Sequence, residues 1–255
     1  MKKIVYILML CICFALYGSV DVNNTNKILT NFHMIKDNSI QTMNVIETET
    51  SEQTEPFIEI EHNEEVADVN IDGLDEKAVN ILIAKRILDF EGEKLVNNST
   101  EYSKYGITIQ TLRWYNAKYK THYRLEKLKK EEAIDIMINL MNYYKIDKIK
   151  DPRIRIVIFD TLYNAGPARA FKIAQKTFNF YNDLYGNGKR IKVDGIMGSI
   201  TLEKLNSIQK VDLFIQLYTF EKLENYKNFR EWDKYKKVWC ERMMAISQFR
   251  IDEIG

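Results

Sequence analysis

The chain has 255 residues, of which 45% are hydrophobic, and this suffices for one domain with a buried core plus extensions. Its formal net charge of +1 excludes a uniformly acidic or basic protein, but the charge is distributed unevenly. Residues 21–76 contain 14 Asp and Glu against two Lys, whereas residues 77–255 contain 33 Lys and Arg against 22 Asp and Glu. A basic body attracts polyanions, which here means nucleic acid, an anionic membrane or a cell-wall polymer.

The N-terminus has the pattern of a secretory signal peptide. Lys2 and Lys3 precede an apolar run at residues 4–17, which is too short for a comfortable membrane span. Because Tyr17 makes a mediocre cleavage site, an uncleaved anchor over residues 1–20 is the alternative. Cleavage would leave Cys240 as the only cysteine and predicts no disulfide. Residues 21–73 are rich in Asn, Thr, Glu and Ser, which predicts a disordered acidic linker.

The next pattern is an amphipathic helix that ends at a carboxyl group, Glu91. Its apolar residues recur at three- and four-residue steps: Ile81, Ala84, Ile87 and Leu88. Gly92 follows and suits the left-handed residue that ends a helix. The helix dipole and the apolar neighbours both disfavour ionisation, so the pKa of Glu91 is predicted to be raised, as a general acid requires. The alternative is that Glu91 only pairs with a nearby Lys or backbone amide.

A short polar stretch comes after this helix and predicts a small hairpin or irregular loop, closed by Gly106, that folds back toward the helix end. It brings a second carboxylate, Glu101, and the hydroxyl of Ser103 to face Glu91 across a groove. Two acids on one groove suit glycoside cleavage. One protonates the leaving oxygen, and the other stabilises the cationic sugar, orders water or attacks.

Helices dominate from residue 74 onward. One is predicted over residues 110–119, and an amphipathic one over 128–144 ends at Tyr143 and Tyr144, which suit either packing or contact with sugar C–H groups. Residues 154–178 are predicted to form the core of the fold, with a break at Gly166-Pro167. Asp160 and Asn164 lie four residues apart on an adjoining face. They are interpreted first as a polar clamp for this break and second as groove residues.

The C-terminal part contains a turn followed by further helices. Asp194-Gly195 predicts a tight turn, and Gly198-Ser199 opens a helix whose free amides suit a peptide-stem carboxylate. Helices over residues 213–226 and 235–246 have the spacing of packing faces that close the core. The residues assigned to these faces are Phe214, Leu217, Tyr218, Glu221, Tyr235, Trp239 and Met243.

Three patches resemble the peptidoglycan muramidases of glycoside hydrolase family 108. The first patch contains ILDFEG and SKYGIT, which are similar to the family's Glu-Gly-Gly-Tyr and Thr-Asn-Tyr-Gly-Ile-Thr. The second contains Phe159-Asp160 and NAGP, which are similar to its Phe-Asp and Asn-x-Gly-Pro. The third, VDGIMGSITL, is similar to a motif of small helical peptidoglycan-binding modules. The resemblance implies that Glu91 is the catalytic glutamate. Glu93 and Lys94 replace the family's Gly-Tyr, and Glu101 is the only acid near the place of its loop aspartate.

Together these patterns predict a mainly α, lysozyme-like helical domain with a small β-hairpin beside the catalytic helix end. Residues 74–165 would form the catalytic part, and residues 166–255 a helical peptidoglycan-binding-like part packed on it. The catalytic candidates are Glu91, Glu101 and Ser103. The substrate-binding candidates are Tyr105, Thr108, Tyr144, Asn164 and Asp194.

The predicted function is a secreted or periplasmic hydrolase that cleaves the β-1,4 bond between N-acetylmuramic acid and N-acetylglucosamine. Its expected partners are peptidoglycan glycan strands and not nucleic acid, and no metal or organic cofactor is expected. The protein is expected to be a monomer whose N-terminal segment engages the membrane during export. The alternative is a catalytically inactive wall-binding or structural protein on the same fold.

Overall fold

The computed structural model describes residues 75–97, 101–185 and 188–250. The predicted signal peptide, with Cys11 and Cys13, and the acidic linker lie outside these residues. The described part is mainly α, as predicted, with one small sheet. Its helices are α1 (Glu76–Glu91), α2 (Ile109–Tyr119), α3 (Lys130–Tyr143), α4 (Pro152–Ala165), α5 (Pro167–Tyr185), α6 (Ser199–Leu205), α7 (Val211–Tyr226) and α8 (Trp232–Ser247).

Helix α1 begins at a side-chain cap and ends at a glycine, so its length is determined locally. The carboxylate of Asp75 accepts a hydrogen bond from the Lys77 N–H at 3.3 Å. At the other end, Gly92 has φ 71° and ψ 169°, and its N–H donates to the Leu88 carbonyl. The φ is positive, as predicted, but the extended ψ differs from the left-handed helical value. This conformation is essentially restricted to glycine.

The sheet is the predicted hairpin with one added edge strand. Strands β1 (Val96–Asn97), β2 (Tyr102–Lys104) and β3 (Ile107–Thr108) are antiparallel in the order β1-β2-β3. Lys104 pairs with Ile107, so β2 and β3 are joined by the two residues Tyr105 and Gly106. Both have positive φ, 55° and 73°, as a type I′ hairpin turn requires. This turn directs the hairpin back toward the end of α1.

Helix α4 is the centre of the fold, as its apolar sequence predicts. Asp151 caps its first turn, Pro152 occupies its first position, and every residue from Ile154 to Leu162 is buried. The helix packs against α1, α5, α7 and α8. Because it is surrounded, the charge of its polar residue Asp160 can be balanced only by side chains from those neighbours.

Helices α7 and α8 close the core, with one correction to the prediction. Phe214, Leu217, Tyr218 and Met243 are buried, as expected for packing faces. Tyr235 is 38% exposed and contacts Trp239 instead of the core. It lies in the first turn of α8, whereas the residues that α8 buries, Met243 and Ile246, lie near its C-terminal end. None of the helices in the described ranges is long and apolar enough to cross a membrane.

Candidate active site

The carboxyl group of Glu91 lies in a narrow space between the end of α1, the hairpin turn and α4. Its side chain is 15% exposed, so it is neither in bulk solvent nor sealed in the core. A Cβ atom added to Gly106 would lie 2.5 Å from Glu91 Oε2 and 2.7 Å from a ring carbon of Tyr163. The hairpin backbone therefore lies directly against the carboxyl group, and only a glycine allows this approach.

Two helices far along the chain complete this site. Arg242 of α8 places Nη2 2.7 Å from Glu91 Oε1, and its Nε donates to Asp160 Oδ1 at 2.8 Å. Lys222 of α7 donates to Asp160 Oδ2 at 2.5 Å. Asp160 has no exposed surface, and each of its oxygens has its own cation. The result is an ordered chain of charges from Lys222 through Asp160 and Arg242 to Glu91.

The pKa of Glu91 is raised above its ordinary value, in the direction that the sequence predicts. Burial is the largest cause, because a carboxylate removed from water loses hydration. Arg242 opposes it, since an opposite charge favours the ionised form, while the carboxylates of Asp160 and Glu101 add to the increase. Burial outweighs Arg242, so Glu91 holds its proton to a higher pH than an exposed glutamate does.

The structure also brings the second predicted acid within electrostatic range of the first. Glu101, at the start of the hairpin, contributes to raising the pKa of Glu91. Ser103 donates a hydrogen bond to Glu101 Oε1. Ser103 itself is almost completely buried and pairs with Val96 and Thr108 in the sheet. Its hydroxyl therefore contacts Glu101, and a catalytic role for Ser103 stays a prediction.

A groove of about 300 Å³ lies beside Glu91. Gly106 and Tyr163, the two residues that crowd the Glu91 carboxyl, both line it. Every lining residue is neutral, with hydroxyl groups, aromatic rings and apolar surface: Gly106, Thr108, Thr111, Trp114, Leu140, Tyr144, Leu162, Tyr163, Gly166 and Pro167. Such a lining suits a neutral, hydroxyl-rich ligand with apolar faces.

Two of the predicted substrate-binding residues line the groove, and a third, Tyr105, is buried and absent from the lining. Thr108 and Tyr144 are lining residues, and Thr108 also caps α2 by accepting from the Thr111 N–H. The ring of Tyr105 is only 6% exposed and is not part of the lining. Its carbonyl instead accepts a hydrogen bond of 2.7 Å from the hydroxyl of Tyr163, which fixes the hairpin turn against α4.

The other two predicted residues have local partners. Asn164 donates to the Asp160 carbonyl at 2.7 Å, next to the helix break at Gly166. Asp194 lies at a second, smaller pocket of about 160 Å³, where it accepts from Gln175 and from the Ile196 N–H. The hydrogen bond from Gln175 is the main cause of the lowered pKa of Asp194. Asp194 is absent from the lining of the groove beside Glu91.

Sequence reasoning missed Arg242 and Lys222 and underestimated Asp160. One signal pointed to such partners: an aspartate in the middle of the apolar run IRIVIFDTL needs buried cations. The identity of those cations could not be inferred, because the chain has 37 Lys and Arg and the two partners lie 62 and 82 residues farther along. Only the packing of α7 and α8 against α4 selects them.

The described part of the chain offers acid–base chemistry at this site. Within residues 75–97, 101–185 and 188–250, no group of three or more His, Cys, Asp or Glu side chains is arranged to hold a metal ion. What the arrangement provides is one carboxyl group with a raised pKa, a second acid near it, and a neutral groove beside both.

Comparison with known proteins shows that much of this site lies within a stretch of sequence that matches a family model. A family model described as Glycosyl hydrolase 108 matches residues 84–166. Among solved structures, the "Structure of Brucella abortus SagA" is similar, with a TM-score of 0.53 and 21% sequence identity over 68% of this chain and 98% of that chain. No curated protein matches the sequence. At this identity, the similarity to SagA shows the fold.

The matched region contains the end of α1 with Glu91, the hairpin, and α4 with Asp160. It ends at Gly166, so Lys222 and Arg242 lie outside it. The family match supports a glycosidase that acts on peptidoglycan. Residues 84–166 thus match glycosyl hydrolase family 108, as the sequence motifs indicated, on a mainly helical, lysozyme-like fold with a small sheet.

Proposed function

We propose that this protein is an N-acetylmuramidase, which cleaves the β-1,4 bond between N-acetylmuramic acid and N-acetylglucosamine in peptidoglycan glycan strands. The observation that carries this proposal is a single one. A mostly buried carboxyl group with a raised pKa, Glu91, borders a groove whose lining is entirely neutral and rich in hydroxyl and aromatic groups. A polysaccharide fits such a groove, and a protonated carboxyl group beside it supplies a general acid.

In this mechanism the protonated Glu91 donates its proton to the glycosidic oxygen as the bond to the sugar carbon breaks. Positive charge then develops on the sugar ring and must be stabilised. Arg242 holds Glu91 Oε1, whereas Oε2 lies against the hairpin backbone at Gly106, a lining residue of the groove. We assign proton transfer to Oε2, because it is the oxygen next to the groove. Arg242 and Asp160 are positioning residues that act through Glu91.

Glu101 is the proposed second acid, which stabilises the cationic sugar or activates the attacking water. Its hydrogen bond from Ser103 orients the carboxylate, and its proximity raises the pKa of Glu91. Two carboxyl groups whose environments differ in this way suit the roles of acid and base. Export of the enzyme to the cell wall rests on the pattern of residues 1–20 and stays a prediction.

The test is release of reducing sugar ends from purified peptidoglycan by the full-length protein and by Glu91→Gln. We expect wild type to release new reducing ends at N-acetylmuramic acid, and Glu91→Gln to lose at least about 10²-fold in rate, because it has no proton to donate. Asp89→Asn is the matched control. It removes an exposed carboxyl group from the same helix, two residues before Glu91 and absent from the groove lining, so activity should be unchanged.

Two outcomes would contradict the proposal. New reducing ends at N-acetylglucosamine would assign cleavage to the other glycosidic bond. Binding of wild type to peptidoglycan without release of reducing ends would identify a catalytically inactive wall-binding protein. This alternative stays open because Glu93 and Lys94 stand where the family has Gly-Tyr.

A further inference from the structure

A cationic side chain that the mechanism above does not use, Lys118, lies near the neutral groove. Lys118 lies near the end of α2, and its Nζ is 4.5 Å from the ring centre of Tyr143 and 6.0 Å from that of Trp114. Trp114 lines the groove, and Tyr143 contacts it edge to face at a centroid distance of 4.8 Å. A ligand in the groove that touches Trp114 is therefore close to this lysine.

The position of Lys118 is held by aromatic rings and not by an acid. Its Nζ also lies 5.8 Å from the ring centre of Tyr119, so three rings surround one ammonium group. Cation–π contacts of this kind hold the side chain without neutralising its charge. Among the described residues, no carboxylate forms an ion pair with Lys118. Its positive charge is thus available to a ligand at a position that needs little ordering on binding.

Tyr143 adds an exposed aromatic surface to the same place. It is 45% exposed, whereas most large apolar side chains of α2 and α3 are buried or half-buried. Trp114 and Tyr143 together offer ring surface on which the C–H face of a sugar can pack. An ammonium group next to such a surface distinguishes a sugar that carries a carboxylate from one that does not.

The geometry points to a binding subsite, made by Trp114, Tyr143 and Lys118, for a carboxylate-bearing N-acetylated sugar of the glycan strand. The sugar ring packs on the two aromatic side chains, and the carboxylate of its lactyl group or of the attached peptide stem binds Lys118. This inference rests on the proposed function, because it assigns a substrate contact at the edge of the same groove, next to the lining residue Trp114. It specifies how the groove distinguishes the two alternating sugars of peptidoglycan, of which only one carries a carboxyl group.

The experiment measures binding without catalysis, by calorimetry on full-length Glu91→Gln. Three probes are compared: a neutral oligomer of N-acetylglucosamine, glycan strands without peptide, which expose lactyl carboxylates, and glycan strands with peptide stems. In the Glu91→Gln background, Lys118→Met is expected to weaken binding of a carboxylate-bearing probe by about fivefold, the value of an exposed charge pair. Binding of the neutral oligomer should change by less than about twofold.

Two further variants and one condition separate charge from general damage. Lys118→Arg keeps the positive charge and should restore most of the affinity. Lys85→Met removes an exposed lysine of α1 that is absent from the groove lining, and should have no effect. Salt at about 1 M should reduce the effect of Lys118→Met on affinity, because it screens an exposed charge pair. Loss on peptide-free strands identifies the lactyl carboxylate as the ligand, and loss only on stem-bearing strands identifies the stem.

The subsite is overturned if Lys118→Met weakens binding of all three probes equally or of none. It is also overturned if Glu91→Gln binds no probe. Neither result decides the proposed function, whose own test is the release of reducing ends by wild type. If wild type released no reducing ends but binding still depended on the carboxylate, the proposed enzymatic function would be contradicted and the subsite would be supported.

Discussion

Glu91 has two properties that compete, and their balance decides its protonation. Burial between the hairpin and α4 favours the neutral acid, whereas the guanidinium of Arg242 at 2.7 Å favours the carboxylate. The sequence predicted a raised pKa from the helix dipole and apolar neighbours. The direction is the one found, and its largest cause, burial, is the effect expected of the apolar neighbours. Arg242 as the opposing cation was not foreseen. The alternative of a paired glutamate is met in part, since Glu91 does pair with a cation, but with Arg242 and not with a Lys or a backbone amide. Its role as general acid stays a prediction.

This balance predicts the pH dependence of hydrolysis. A general acid works only while protonated, so activity is present below the pKa of Glu91 and falls as pH rises through it. Arg242→Gln removes the main influence that lowers this pKa, while Asp160 and Glu101 still raise it. The alkaline limb of the pH–rate profile should therefore move to higher pH. Arg242→Lys keeps the positive charge and should shift the limb less.

The measurement is the initial rate of reducing-end release across pH for the three proteins, together with their thermal unfolding. A merely structural role for Arg242 would lower the rate at every pH without moving the limb. A limb that stays in place, or moves to lower pH, in Arg242→Gln would contradict the influence assigned to this residue.

At the scale of elements, the site depends on where α1 and the hairpin stop and turn. Asp75 and Gly92 define the two ends of α1, and Tyr105-Gly106 forms the turn of the hairpin. Of these local signals, Gly92 and Gly106 led the sequence analysis to predict both elements and their meeting, whereas the Asp75 cap and the place of Tyr105 in the turn were not predicted. The close approach of Gly106 to Glu91 and Tyr163 was not predictable, because it depends on how the hairpin packs on α4.

Gly106→Ala should therefore impair catalysis as well as stability. The positive φ of 73° costs about 1–3 kcal/mol for a residue with a side chain. In addition, the new methyl group would lie 2.5 Å from Glu91 Oε2 and must displace the carboxyl group. We expect lower stability and at least about a tenfold loss in rate per folded molecule, since small misplacements of a catalytic group are costly.

Gly92→Ala is the control for backbone strain alone. Gly92 has a similar φ of 71°, but a Cβ added there meets no atom within 4 Å. We expect it to lower the free energy of unfolding with a smaller loss in rate than Gly106→Ala causes. Denaturant unfolding and reducing-end release measure the two effects. Equal losses of rate in both variants would show that strain, and not displacement of Glu91, is responsible.

At the scale of the whole molecule, one buried aspartate joins four helices. Asp160 of α4 is bound by Lys222 of α7 and by Arg242 of α8, and Arg242 continues to Glu91 of α1. Burial alone would raise the pKa of Asp160, but Lys222 and Arg242 together lower it. The ionised carboxylate therefore stabilises the fold above the unfolded pKa near 3.8, and this stabilisation is lost as pH falls through the lower folded pKa.

Removing one cation from this network should be costly. Lys222→Met leaves the fully buried carboxylate of Asp160 with Arg242 as the remaining cation of the network, and breaking a buried pair in this way costs about 3–5 kcal/mol. The double variant Lys222→Met/Asp160→Asn removes the charge as well, and should be more stable than Lys222→Met alone. Denaturant unfolding at neutral pH measures the free energies.

The exposed pair of Lys236 and Asp233 provides the matched control. Its nitrogen and oxygen are 3.2 Å apart, and both side chains are largely exposed. Lys236→Met should change the free energy of unfolding by less than about 1 kcal/mol. If Lys222→Met also lowered the free energy of unfolding by less than about 1 kcal/mol, the role assigned to the network would be contradicted.

The sequence by itself determined the helices, the hairpin, the central position of α4 and the location of Glu91 at a helix end. These follow from apolar periodicity, caps and glycines, which act over a few residues. Only the tertiary structure decided that Lys222 and Arg242 complete the site, that Tyr105 turns inward, and that Lys118 lies beside the groove. The physical reason is that a charged residue within an apolar run indicates that a partner must exist, but only the packing of distant helices brings a particular partner into contact with it.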